Sequence, residues 1–316
     1  MGCGVLLGVG EGGWPRGDLS LACASVNLWE AGPARYGDKP FLTWYDDDRG
    51  ERVELSYRTF DNWVAKTANL LVEELGATPG DRVGALLVDH WQTPIVLAAC
   101  WRAGTSVVAL DPRGPTDGLV TAFVREELLA GAASALKGTM VVALTADLLG
   151  RATRDLGRAL NFSRVVPTMG DLFDAGPDPT GNALVTGEGA ATMAELLERA
   201  TALAARTGLT DADRMLSGRR LLTVGGAAAG LLAPFVAGAG VVLGRDLESG
   251  RFWKRVTDER VAVAVLDPDQ AAAVLAAGPA PAGLDRFRLR VVASPGASEA
   301  VAAGFQAAFG VPLLAD

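Results

Sequence analysis

One histidine, His90, serves the whole of a 316-residue chain. Any Ser-His-Asp, Cys-His or multi-histidine metal site must use it, so a single count removes several enzyme classes. His90 follows an apolar run that reads as a strand and precedes one that reads as a helix, a position from which α/β proteins present functional groups. Its neighbours Asp89 and Gln92 would equally satisfy it as a structural residue. The three cysteines, Cys3, Cys23 and Cys100, lie far apart and form no CxxC pair. That spacing suits neither a zinc site nor a disulfide framework and points to a reducing, cytoplasmic setting. Cys100 has apolar neighbours and reads as a small core side chain. Asp46-Asp47-Asp48 and Glu73-Glu74 supply carboxylates without the convergent spacing of metal ligands, and read as solvated turn and helix-end charges. VGGAAAG from Val224, with Asp246 after the next strand, is a weak form of the dinucleotide fingerprint. Ala227 stands where close approach of a pyrophosphate requires a glycine.

The elements that position these residues centre on Asp81–Pro112. Val83 to Val88 is an apolar run without alternation, as in a strand buried on both faces. Pro94 begins a helical segment, Ile95 to Arg102, which Gly104 closes. Thr105 to Leu110 reads as a second buried strand, so the unit is one parallel crossover and the fold class is α/β. Before it, Phe41–Tyr45 and Val53–Leu55 flank DDDRGE as a hairpin. Thr59 is expected to cap a helix whose face carries Phe60, Trp63, Val64, Thr67, Ala68, Leu71 and Leu75. After it, Leu119–Leu136 reads as helix, Met140–Leu144 as strand and Asp147–Leu160 as helix. The second half repeats the rhythm: strand Leu184–Thr186, helix Thr192–Thr207, strand Val261–Leu266, a helix from Asp267-Pro268, strand Leu289–Ala293, a helix from Ser298 to Phe309 and strand Val311–Leu314.

GPDPTGN, at Gly176–Asn182, is the expected internal boundary. The division is then a disordered leader over 1–26, a first α/β subdomain over 27–180 and a second over 181–316. The leader is glycine-rich without a basic start, which makes a poor signal peptide. Leu221–Leu243 holds 23 residues without a charge, long enough to span a bilayer. Its glycines and Pro234 split it into strand, helix and strand, so a buried crossover is expected and a membrane partner is not. With 49% apolar and 21% charged residues the chain is globular. A net charge of −8 leaves no basic face for nucleic acid.

LSYRTFDNWVAKTANLL at Leu55, ATPGDRV at Ala77 and WRAGTSVVALDP at Trp101 stand in an order and spacing that resemble the N-terminal domain of the adenylate-forming superfamily. That superfamily comprises acyl-CoA synthetases, peptide-synthetase adenylation domains and luciferases. Within it the chain is most similar to a small actinobacterial group of AMP-binding-like proteins. LRVVASPGASEAVAAGFQAAFGVPLL is similar to the stretch around the family's adenine-contacting Gly-Gly-Ala segment, which places Gly296 and Ala297 at the adenine. The resemblance covers Leu28 to Asp316, is strongest before Pro112, and implies two β-sheets interleaved with helices. It also implies ATP or AMP with magnesium as ligands.

The family's Ser/Thr/Gly-rich loop, followed by Pro-Lys-Gly, wraps the ATP phosphates. The corresponding stretch here reads ALVTGEGAATMAEL. Thr186, Gly187 and Gly189 remain as turn residues, the lysine is missing, and Glu188 adds a negative charge. A polyphosphate needs amide donors and positive charge at that point, so this loop repels what it should hold. On the resemblance, the Tyr-Gly-x-Thr-Glu segment, the ribose-holding Thr-Gly-Asp, the hinge and a lid domain with its catalytic lysine would fall beyond Asp316. The expectation is therefore a degenerate, non-catalytic AMP-binding-like protein with residual nucleotide or acyl binding or a scaffold role; no catalytic residue and no metal ligand is assigned. The competing expectation is an ATP-dependent adenylating half-enzyme whose C-terminal domain comes from a separate partner chain.

Overall fold

A computed structural model describes residues 29, 31–111, 116–145, 147, 151–174, 181–244, 247, 249–278 and 289–315. The expected leader, Asp246 and most of the Gly176–Asn182 segment lie outside them. After a short helical segment at 31–36 comes a hairpin, β1 (Pro40–Asp46) and β2 (Glu51–Ser56), paired antiparallel from Leu42↔Leu55 to Asp46↔Glu51. Helix α1 (Tyr57–Asn69) follows and continues through a π turn, Leu70–Glu74. Its cap is Ser56 rather than Thr59, because the Ser56 hydroxyl accepts the Thr59 amide at 3.1 Å. The expected face is otherwise seated: Phe60, Val64, Thr67, Ala68 and Leu71 are buried, with Trp63 and Leu75 packed beside them.

The crossover unit forms as expected. Strand β3 (Arg82–Leu86), helix α2 (Gln92–Arg102) and strand β4 (Ser106–Ala109) place β3 and β4 parallel, in register from Arg82↔Ser106 to Ala85↔Ala109. Every residue of α2 is buried, which explains why its sequence lacks a polar face.

Two helical expectations fail in the next segment. Leu119–Arg125 is strand β5, followed by a 3-10 turn at Glu126–Leu128 and a single helical turn, Leu129–Ala132. The strand prevails because β5 lies between β3 and β6 (Met140–Leu144), and a sheet interior accepts a continuous apolar run. The described part of Asp147–Leu160 is irregular: Gly157 turns at φ +56° and donates to Asp155 at 2.9 Å before β7 (Leu160–Asn161). Strands β8 (Asn182–Thr186) and β9 (Gly189–Thr192) then lead into helix α3 (Met193–Thr207). Thr192 and Glu195 cap it reciprocally, and Gly208 ends it in the left-handed conformation at φ +61°.

The uncharged Leu221–Leu243 stretch supplies the helix and second strand of a crossover, but the strand expected at its start does not form: residues 221–223 are a turn and the first strand lies earlier, at Arg214–Ser217. Strand β10 (Arg214–Ser217) passes through helix α4 (224–237), which has a π turn at Ala228–Leu232, to strand β11 (Gly240–Gly244). Among the described residues no helix is long and apolar enough to cross a membrane. Helix α5 (Ser249–Asp258), strand β12 (Val263–Val265), helix α6 (Pro268–Ala276), strand β13 (Val291–Ala293), helix α7 (Glu299–Phe309) and strand β14 (Leu313–Leu314) complete the fold.

The strands form two seven-stranded sheets: sheet A in the order β14-β13-β12-β10-β11-β1-β2 and sheet B in the order β7-β6-β5-β3-β4-β8-β9. Apart from the hairpin strands β2 and β9, neighbouring strands run parallel. One core joins the sheets through α1, α2, α3 and α4, with Phe41 and Trp44 from sheet A and Val83 and Phe123 from sheet B. A second core on the other face of sheet A holds Phe252, Trp253, Phe305 and Phe309. Parallel strands align their carboxyl ends, and those ends carry the residues of interest.

Candidate functional site

In sheet A the chain leaves β10 toward β11 on one side, while β12 pairs on the other. Such a reversal opens a crevice beyond the strands' carboxyl ends, the usual ligand position in an open α/β sheet. Gly218, Arg219 and Arg220 follow β10 into that crevice. The Gly218 carbonyl accepts from Gln270 Nε2 at 3.0 Å, and a Cβ at Gly218 would lie 2.4 Å from Gln270 Oε1. Arg219 Nε donates to Asp267 Oδ1 at 3.0 Å, tying the end of β10 to the start of α6.

The glycines of VGGAAAG are explained at this turn. A Cβ on Gly225 would lie 3.0–3.1 Å from the Arg219 guanidinium, which rests against that backbone. A Cβ on Gly226 would lie 1.7 Å from the Arg220 carbonyl oxygen. Both glycines are thus set by close approach of the preceding turn rather than by a pyrophosphate. Thr223 caps α4 by accepting the Gly226 amide at 3.0 Å.

Thr186, Gly187 and Gly189 form the turn of the β8–β9 hairpin. Thr186 pairs with Gly189 across the strands, leaving Gly187 and Glu188 as a two-residue loop. The Thr186 hydroxyl donates to the Gly189 carbonyl at 2.9 Å and accepts the Glu188 amide at 3.2 Å. The turn therefore spends its own polar groups on itself, while Gly187, Glu188 and Gly189 are exposed. Lining a polyphosphate needs several free amides in a concave loop, and a closed two-residue turn does not make that shape.

Gly296 and Ala297 lie after β13. Gly296 takes φ +87°, a conformation that favours glycine, and its amide donates to the Ala315 carbonyl at 2.7 Å. Ala297 donates to Ser294 at 2.9 Å, and Ser298 caps α7. A Cβ on Gly296 would meet Pro268 at 3.7 Å, so this turn borders the residue beside Asp267. The first turn of α4 packs against β8 and β9, which places the hairpin strands beside the Arg219–Gly226 turn. Along the edge, Gly296 and Ala297 are separated from Arg219 by Asp267 and Pro268 of the β12 end. Among the described residues no hydrogen bond joins the two groups.

His90 is buried, with its ring edge-on to Trp44 at a centroid distance of 4.5 Å. Its Nδ1 lies 3.4 Å from the Gln92 amide, a long bond. Asp89 accepts the Leu221 amide at 3.0 Å on Oδ1 and Trp44 Nε1 at 3.4 Å on its carbonyl. Asp89 therefore stitches the carboxyl edge of sheet B to the Arg219 turn of sheet A. Burial pushes the Cys100 thiol up to about 12, so it is an inert core group at neutral pH.

The aspartate run is not merely solvated. Asp46 accepts the amides of Asp48 and Arg49, Asp47 pairs with Arg255, and Asp48 pairs with Arg251 at 2.8 Å. Glu73 and Glu74 are exposed as expected. Among the described residues no group of three or more ligating side chains forms a metal site. Sequence reasoning missed the Arg219–Asp267 pair; its only trace was two consecutive arginines after a strand in an arginine-rich chain.

Comparison with known proteins accords with this arrangement. A family model described as AMP-binding enzyme matches residues 29–127. An acyl-CoA synthetase from Brucella canis superposes with a TM-score of 0.76 at 18% identity, covering 92% of this chain and 56% of that one. The anthranilate CoA ligase AuaEII, solved with anthranoyl-AMP, gives 0.76 at 18% identity, covering 93% and 60%. A benzoate CoA ligase from Burkholderia xenovorans LB400 gives 0.70 at 18% identity, covering 92% and 59%. The chain thus spans somewhat over half the length of these structures, and at that identity the likeness establishes the fold. A Mycobacterium tuberculosis protein described as a TIGR03089 family protein is 36% identical over 224 residues, which are 70% of this chain and 89% of the relative. With two sheets laid out as in the N-terminal domain of adenylate-forming enzymes and this degree of identity to a relative covered almost end to end, the chain belongs to the TIGR03089 family.

Proposed function

We propose that this protein is a degenerate adenylate-forming domain that does not itself adenylate a substrate, and that it acts as a cytoplasmic scaffold or a weak holder of nucleotide or acyl groups. The observation that carries this reading is the β8–β9 turn. It has two loop residues, no lysine, an exposed Glu188, and its threonine hydroxyl and Glu188 amide already bonded to each other. Stabilising charge around the transferred phosphoryl groups is usually the largest catalytic contribution, and this turn supplies none. Thr186, Gly187, Gly189, Gly296 and Ala297 are, on this reading, remnants of the nucleotide-contacting segments.

Calorimetry with ATP–Mg and with AMP on the purified chain tests the proposal, with Glu188→Lys as the comparison. The expected result is no binding tighter than about millimolar, roughly −4 kcal/mol, and a gain in the variant. Micromolar binding of ATP–Mg by the wild type would sink it.

A half-enzyme completed by a second chain is favoured by one observation: the solved ligases extend well beyond the part this chain covers. Against it, the 224 aligned residues make up 89% of the mycobacterial relative, which is therefore itself only about 250 residues long. ATP–pyrophosphate exchange in the presence of a candidate lid-domain chain separates the two readings, since only a half-enzyme gains activity.

A further inference from the structure

We infer that Arg219 is an oxyanion-binding residue, seated at the carboxyl-end crevice of sheet A to take the carboxylate or the monophosphate of a small ligand. The inference rests on the reading above, in which the β8–β9 turn no longer supplies positive charge.

Three observations support it. The first is location: Arg219 leaves β10 where the chain order of sheet A reverses, between the β8–β9 hairpin on one side and the Asp267–Pro268 and Gly296 turns on the other. The second is seating. Gln270 fixes the Gly218 carbonyl at 3.0 Å, the Ser217 hydroxyl lies 3.4 Å from the Arg219 amide, and Gly225 leaves room for the guanidinium against bare backbone. A guanidinium held in this way is oriented before a ligand arrives, which lowers the ordering cost of binding. The third is valence. Among the described residues only Nε of Arg219 has a partner, Asp267 Oδ1 at 3.0 Å. The Nη1 and Nη2 edge remains, a pair of donors in one plane that matches two oxygens of a carboxylate or phosphate. Side-chain exposure of 21% leaves that edge reachable.

Arg220 adds a second, exposed positive charge beside it. The nearby carboxylates are Asp267, already paired with Arg219, and Asp89, which holds the Leu221 amide. Asp267, bonded to Nε, thus partly neutralises Arg219 and repels an anion arriving at the Nη edge, and this makes a prediction with a sign. Removing the Asp267 charge strengthens anion binding, whereas a purely structural ion pair would lose stability and gain nothing.

The test is binding of sodium benzoate and, separately, of AMP to the full chain, followed by ligand-observed NMR up to about 50 mM, a range that reaches weak complexes of a few kcal/mol. Arg219→Gln is expected to weaken binding about tenfold, the loss typical of a hydrogen bond to a charged group. Asp267→Asn keeps a residue that caps helices well and is expected to tighten binding severalfold. Arg206→Gln, exposed on α3, serves as the control and leaves affinity unchanged. Circular dichroism melting verifies that each variant folds. Binding of benzoate alone identifies a carboxylate site, and binding of AMP alone a phosphate site. The inference is overturned if the wild type binds neither probe, if Arg219→Gln binds as well as wild type, or if Asp267→Asn weakens binding along with Arg219→Gln. The two proposals fail separately: pyrophosphate exchange by the wild type would refute the non-adenylating reading and leave the Arg219 result standing.

Discussion

Two glycine-bearing turns meet near the crevice, and they hold their glycines for opposite reasons. At Thr186–Gly189 the loop is open: a Cβ on Gly187 or on Gly189 would meet nothing within 4 Å, although Gly189 takes φ +153°. At Arg219–Gly226 the chain is crowded, with a Cβ on Gly226 falling 1.7 Å from a backbone oxygen. The first pair shapes a turn, and the second makes room for another part of the chain. Glycine that merely turns the chain is a poor sign of a working phosphate loop, whereas glycine under close approach marks a geometry the fold depends on.

Substitutions test this contrast directly. Gly226→Ala is the most severe: helix propensity alone would favour alanine by about 1 kcal/mol. A Cβ cannot coexist with the Arg220 carbonyl, so a net loss of about 3 kcal/mol is expected, seen as a large drop in thermal midpoint. An unchanged midpoint would show that the turn is not as described. Gly225→Ala is milder, because the flexible end of Arg219 can yield; about 1 kcal/mol is lost, with weakened anion binding as the guanidinium is displaced. Equal anion affinity in this variant would count against Gly225 as the seat of Arg219. Gly187→Ala is the smallest, within about 0.5 kcal/mol, since the position is open and its backbone lies outside the left-handed region. A loss above 1 kcal/mol in urea titration would mean the hairpin turn is more constrained than its surroundings suggest.

The same contrast explains what sequence could and could not reveal. The β3–α2–β4 unit was legible because a doubly buried strand and a wholly buried helix both write uninterrupted apolar runs, and Gly104 and Pro94 punctuate them. LVTAFVREELL fits a helix face as well as a strand; sandwiching between β3 and β6 decides for the strand, and that is a tertiary fact. Thr59 is the wrong cap because Ser and Thr both suit the role by type, and only the Ser56 hydroxyl accepting the Thr59 amide separates them. The missing lysine and the added Glu188 were visible as departures from the family pattern, but the hairpin that closes this turn, with β9, was not. Arg219 was not, because its importance comes from a carbonyl folding back over Gly226 and from Asp267 arriving 48 residues later.

Sheet A joins strands that are far apart in sequence. Strand β1 aligns Leu42 with Val241 and Trp44 with Leu243, while all of sheet B lies between them in sequence. During synthesis, sheet B can assemble from consecutive segments as they emerge, and β1 can pair with β2, but the other edge of β1 must wait for β11 and Phe41 for its contact with Phe235. Pairings at such separation make folding slow and expose sticky surface to other chains. Interleaving two sheets thus leaves one edge of β1 open until β11 has been made.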